Sequence, residues 1–70
     1  MMSRFIVTST QTGAQACRVQ HLPGVGFSMP VDEGTDLRAK IESGCCFLLA
    51  DSAAVSVNLD NGLTVARFKG

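Results

Sequence analysis

The stretch GCCFLLADSAAVSVNLDNGLTVARF, residues 44–68, decides the fold. Its second half, from Val55 to Phe68, is two alternating arms around Asp60-Asn61-Gly62, a strong short-range hairpin signal. Two registers compete. A two-residue Asn61-Gly62 loop sets Asn58 against Val65 and Val55 against Phe68, mixing polar and apolar side chains across the ladder. A three-residue loop sets Leu59 opposite Leu63, Val57 opposite Val65 and Val55 opposite Arg67, with Asn58 against Thr64 on the other side. Directly opposed residues share a face, so this register gives one apolar and one polar face. It also needs a left-handed residue at the third loop position, where Gly62 stands. The three-residue loop is the expected one.

The first half of the stretch, Cys45 to Ala50, is apolar at every position. Such a run fits a central strand covered on both sides, or one whose second face meets another subunit. Asp51-Ser52 then turns into the hairpin, and the expectation is a three-stranded meander. Working back toward the N-terminus, Gly44 stands where a helix C-terminus favours a left-handed residue. Leu37 and Ile41, four apart, share one face of a short helix at about residues 35–43. Thr35 or Asp36 caps it, and Arg38, Lys40 and Glu42 point away.

Arg4 to Ser9 is rich in aromatic and β-branched residues and reads as a first strand. A polar turn containing Gly13 leads to Ala16–Leu22, where Cys17, Val19 and His21 alternate with Arg18, Gln20 and Leu22. These two segments form a hairpin, and Pro23-Gly24 ends it. Val25, Phe27 and Met29 then alternate, either as a short edge strand tolerant of Pro30 or as a loop that drops Phe27 into the core. The expected fold is α+β and β-rich. It has about five short, mostly antiparallel strands, as a small sheet or partly open barrel, with the one helix, in a single domain over residues 1–70.

Seventy residues lie near the lower limit for a self-sufficient core. Hydrophobic residues make up 46% and charged residues only 17%. With so few charges, apolar side chains are left exposed or covered by a partner, which argues for oligomerisation. Net charge is zero, and the six basic residues are dispersed. That disfavours nucleic acid as a partner, although Arg4, Arg18 and Arg67 on neighbouring strands are the ones a fold can gather. No signal peptide is visible, and no run approaches the roughly 18 apolar residues of a membrane span, so no membrane role is expected. Three cysteines, two adjacent, point to a reducing compartment and away from a disulfide scaffold.

Catalytic and metal chemistry finds little support. Cys17 and His21 with Cys45 and Cys46 lack the paired spacing of a structural zinc site. Cys45-Cys46 has neither a Cys-x-x-Cys arrangement nor a cationic neighbour to lower a thiol pKa. His21, the sole histidine, has no identifiable triad partners. Asp32, Glu33 and Asp36 lack calcium-loop spacing, and Gly24-Val25-Gly26 is not followed by the Lys and Ser/Thr of a phosphate loop. Without Trp or Tyr the usual stacking platforms are missing. The expectation is no enzyme, no catalytic residue, no cofactor and no metal.

From Asp32 to Leu49 the chain runs through an acidic turn, a short helix with Leu37 and Ile41, Ser43-Gly44 and apolar Phe47-Leu48. This order resembles small proteins encoded among bacteriophage structural genes. The resemblance implies a virion component, such as a capsid decoration or head-tail connector accessory subunit, located in the virion or in the cytoplasm of a bacterial host. The resulting expectation is a non-catalytic structural protein that binds copies of itself, a larger protein assembly, or both, through strand edges and apolar patches. Val25, Phe27 and Met29 are the candidate interface. The alternatives are a small soluble inhibitor of a host enzyme or defence complex, and a small nucleic-acid-binding barrel module.

Overall fold

The structure, a computed structural model, describes residues 2–68. Five antiparallel strands form one open sheet, and one helix lies on one of its faces. The strands are β1 (Ser3–Ser9), β2 (Gln15–Leu22), β3 (Gly26–Ser28), β4 (Ser56–Asn58) and β5 (Leu63–Arg67), in spatial order β3-β2-β1-β5-β4. Helix α1 (Asp36–Ala50) is the crossover from one sheet edge to the other. The α+β, β-rich class and the small sheet are as the sequence indicated.

The β1–β2 and β4–β5 hairpins both follow from local chemistry. In the second, Val57 pairs with Val65 and Asn58 with Thr64, so the three-residue loop is the one formed. The Leu59 amide donates to the Leu63 carbonyl at 2.7 Å, and Gly62 has φ +83°. That left-handed backbone is the reason for a glycine there. Asn61 accepts the Leu63 amide on its side-chain oxygen at 3.2 Å. In the first hairpin Phe5 pairs with Val19 and Val7 with Cys17, and a bulge shifts the register between Val7 and Thr8. Between β2 and β3, the Val25 amide closes a turn onto the Leu22 carbonyl at 3.0 Å, with Pro23 and Gly24 as its central residues.

The Cys45–Ala50 run is not a strand. It is the second half of α1, and the helix does not stop at residue 43. The meander expected from that run is therefore absent, and β5 pairs instead with β1, Phe5 opposite Arg67 and Val7 opposite Val65. Gly44 does not cap the helix. A Cβ there would lie 3.1 Å from Leu59 Cδ2, 3.2 Å from Val65 Cγ2 and 3.3 Å from Val57 Cγ1. Its missing side chain lets α1 lie close against the β4–β5 hairpin.

Thr35 is the N-cap: its hydroxyl accepts the Arg38 amide at 3.2 Å and donates to the Asp32 carbonyl at 2.8 Å. At the other end the Asp51 amide donates to the Phe47 carbonyl at 3.1 Å. Leftover carbonyls of the last turn need donors, and Arg67 of β5 supplies them. Its guanidinium donates to the carbonyls of Leu48, Asp51 and Ala54. The core lies between the layers and consists of Phe5, Val7, Val19 and Val65 from the sheet with Ile41, Cys45 and Leu48 from the helix. Phe27, Met29 and Val31 pack against its rim.

Candidate functional site

Val25, Phe27 and Met29 are not alike in place. Val25 stands on the turn and is 82% exposed. Phe27 and Met29 are half-buried against the core, and the Phe27 ring lies 4.8 Å from that of His21. Phe27 therefore works largely as packing, and Val25 is the one member of the trio presented to solvent. The Phe27 carbonyl is also engaged, accepting from Arg38 Nη2 at 2.9 Å.

Arg38, expected to point outward, folds back along the chain. Besides Phe27 it donates to the Val31 carbonyl and to Glu42 Oε2, both at 2.8 Å. A depression of about 390 Å³ lined by Glu33, Gly34, Thr35, Arg38, Ala39 and Glu42 lies beside it. The guanidinium there already holds three oxygens of its own chain, so its role is to fasten α1 to the segment before it. Lys40 reaches Asp60 in the hairpin loop at 2.9 Å and Asp36 at 3.6 Å. Its hydrogen bond to Asp60 is the first cause that holds the Lys40 pKa above its ordinary value and the Asp60 pKa below.

The cysteines diverge by position on the helix. Cys45 faces the core, and burial, reinforced by Cys46, Cys17 and Glu42 nearby, pushes its thiol pKa up to about 12. Cys17 is half-buried and its pKa is raised for the same first reason, burial. Cys46, one residue on, is exposed. A protonated buried thiol is a weak nucleophile. Among the described residues no three His, Cys, Asp or Glu side chains cluster as metal ligands, and no helix is long and apolar enough to cross a membrane.

Arg4, Arg18 and Arg67 are not gathered. Arg4 and Arg18 lie on the sheet face away from α1, since they alternate with core residues Phe5 and Val19. Arg67, paired with Phe5, faces the helix side and is bound to its carbonyls. On the open face the Arg18 guanidinium lies 4.7 Å from the Phe68 ring centroid, a cation–π stack. All six acidic residues, Asp32, Glu33, Asp36, Glu42, Asp51 and Asp60, belong to α1 or to loops at its ends and beside it. The helix layer is thus acidic and the open sheet face basic.

The feature that sequence reading missed is the outward side of α1. Ala39, Ser43, Cys46 and Ala50 recur at helical spacing opposite Ile41, Cys45 and Leu48, and all four are exposed. Phe47 at 49% and Leu49 at 37% exposure flank them, and no charged residue follows Glu42 in the helix. A helix apolar all round is normally covered all round. Here the sheet covers one side only. The signal was available in the run itself, which holds no Val, Ile or Thr and so lacks the composition of a strand. Compared with known protein families, with characterised proteins and with solved structures, the chain matches none.

Proposed function

We propose that this chain is a non-catalytic structural subunit that acts by protein–protein contacts, with copies of itself or within a larger assembly. The observation that carries the reading is the uncovered apolar side of α1, where Phe47 and Leu49 are exposed and no charged residue follows Glu42 within the helix. Exposed apolar surface of this kind marks interaction sites. The sheet edges are a poorer basis for association, because β3 and β4 offer three residues each. The resemblance to phage structural proteins gives the setting: a virion component, decorating a capsid or accessory to the head–tail connection. Cys45 is buried with its thiol pKa raised, which makes it a weak nucleophile.

The test is the association state of the purified protein by native mass spectrometry and sedimentation velocity, with Phe47→Asp as the probe. Phe47 is half exposed, so this change leaves the core intact. Association that Phe47→Asp abolishes supports the reading. A monomer at every concentration, indifferent to Phe47→Asp and capturing no assembly, rejects it. Phe27→Asp is an unsuitable probe, because it places a carboxylate against the core.

A further inference from the structure

The molecule has two uncovered surfaces, and they lie on opposite sides. One is the outward side of α1. The other is the open sheet face, where Ile6, Leu22, Ala66 and Phe68 are half-buried with Arg4 and Arg18 beside them. A depression of about 110 Å³ opens there, lined by Arg4, Arg18, Gln20 and Phe68 over the backs of Phe5 and Val19. Across the molecule, at the helix N-terminus, the Glu33 and Asp36 side chains are 88% and 86% exposed.

Resting on the assembly reading above, we propose that copies of this chain stack head to tail. The outward side of α1 in one copy seats on the open sheet face of the next, its Glu33–Asp36 end toward Arg18. Three observations point to a second copy as the occupant. The helix layer pairs some of its charges internally, Glu33 with Arg38 at 3.8 Å and Asp36 with Lys40 at 3.6 Å, but its six carboxylates outnumber Arg38, Lys40 and Arg67. The open face carries Arg4 and Arg18 without an acidic residue among the described residues, an asymmetry that favours heterologous contact. Pairing two sheet faces would set Arg18 toward Arg18 around a two-fold axis, and pairing two helix faces would leave the sheet face bare. Size permits it: the molecule extends 33 × 29 × 20 Å, so a copy seated along α1 has room for further contacts on either side of the helix. The missing layer is also of the right kind, because an apolar-backed helix on the second face turns an open two-layer sheet into a covered one. A contact between two different surfaces repeats, so it closes into a ring or extends as a filament.

The experiment uses two charge reversals, Arg18→Glu and Asp36→Lys, each at an exposed position, with circular dichroism confirming the fold of both. Sedimentation velocity and native mass spectrometry then follow each alone and the equimolar mixture. The expected result is oligomers beyond the dimer for the wild type and self-association at least tenfold weaker for each variant alone. In the mixture, Arg18 of one variant meets Asp36 of the other, and the two reversed positions also carry opposite charges, so mixed oligomers are recovered. Wild-type association of Arg18→Glu overturns the stacking. So does a closed dimer joined by a Cys46–Cys46 disulfide under mild oxidation, which would mean helix-to-helix pairing and leave the assembly reading standing. Salt-sensitive binding of a fluorescent single-stranded oligonucleotide, lost in Arg18→Glu, would assign the open face to nucleic acid instead. A wild type monomeric throughout, with no captured assembly, overturns both readings.

Discussion

Arg67 of the last strand donates its guanidinium hydrogens to the carbonyl of Leu48 in the last turn of the helix. The same side chain holds the Asp51 carbonyl at 2.9 Å and the Ala54 carbonyl at 3.1 Å. The helix end and the loop after it are thus fixed by a residue from the neighbouring layer. Arg67→Met leaves these carbonyls without their charged donor and is expected to lower stability by about 2–3 kcal/mol. Arg67→Lys recovers only part of this, because one ammonium cannot reproduce a guanidinium fork. Urea unfolding midpoints of the two variants check the order.

Gly44 sets two effects against each other. Alanine in a helix interior gains about 1 kcal/mol over glycine from propensity. The added Cβ, however, would press on Leu59, Val65 and Val57 at 3.1–3.3 Å, and Val65 is fully buried. Overpacking costs about 1–3 kcal/mol, so Gly44→Ala is expected to be destabilising despite its better propensity. Gly44→Leu is expected to be worse still, forcing α1 off the hairpin. If Gly44→Ala raises the melting temperature, the close approach of helix and hairpin is wrong.

The adjacent cysteines should behave as different residues. Brief alkylation of the native protein near pH 8 is expected to modify Cys46 and spare Cys45, whose thiol is buried with its pKa pushed up to about 12. Peptide mass spectrometry reads the two separately. Cys46→Ser is expected to be neutral for stability, whereas Cys45→Ser places a hydroxyl in the apolar core at a cost of about 1–3 kcal/mol.

The Lys40–Asp60 bond has a defined pH window. Asp60 is held below its ordinary pKa, so its contribution is present above the ordinary carboxylate range and is lost as pH falls through the lowered value. Lys40 is held above its ordinary pKa, so its contribution is present below that value and is lost as pH rises through the raised one. The melting temperatures of wild type and Asp60→Asn should therefore differ at neutral pH and converge at strongly acidic pH. Both groups are exposed to solvent, so added salt should also shrink the difference.

The sequence carried the β4–β5 hairpin down to its register, because alternating Val57, Leu59, Leu63 and Val65 are compatible with only one pairing around Gly62. For β1–β2 it carried the existence of the hairpin but neither its register nor the bulge between Val7 and Thr8. It misled at Cys45–Ala50, since a run apolar at every position has no phase, and period alone cannot separate a buried strand from a helix. Gly44 reinforced the error by standing where a cap is expected. The tertiary reason for that glycine, three side chains of a distant hairpin, is not a local property. For the same cause the outward apolar side of α1 stayed hidden, and Val25, Phe27 and Met29 drew attention that only Val25, by exposure, retains.

The neighbour of β1 in the sheet is β5, so strands from nearly opposite ends of the described chain meet at its centre. The β1–β2–β3 meander and the β4–β5 hairpin can form early, but neither has a core until that closure joins them, because Val7, Val65 and the helix residues bury one another. Long-range closure of this type slows folding relative to helical proteins of equal length, toward milliseconds or longer. It also leaves no stable half. Hydrogen exchange should find the amides of β1 and β5 opening together, in a single event, and stopped-flow refolding should show one exponential phase with no protected hairpin preceding it.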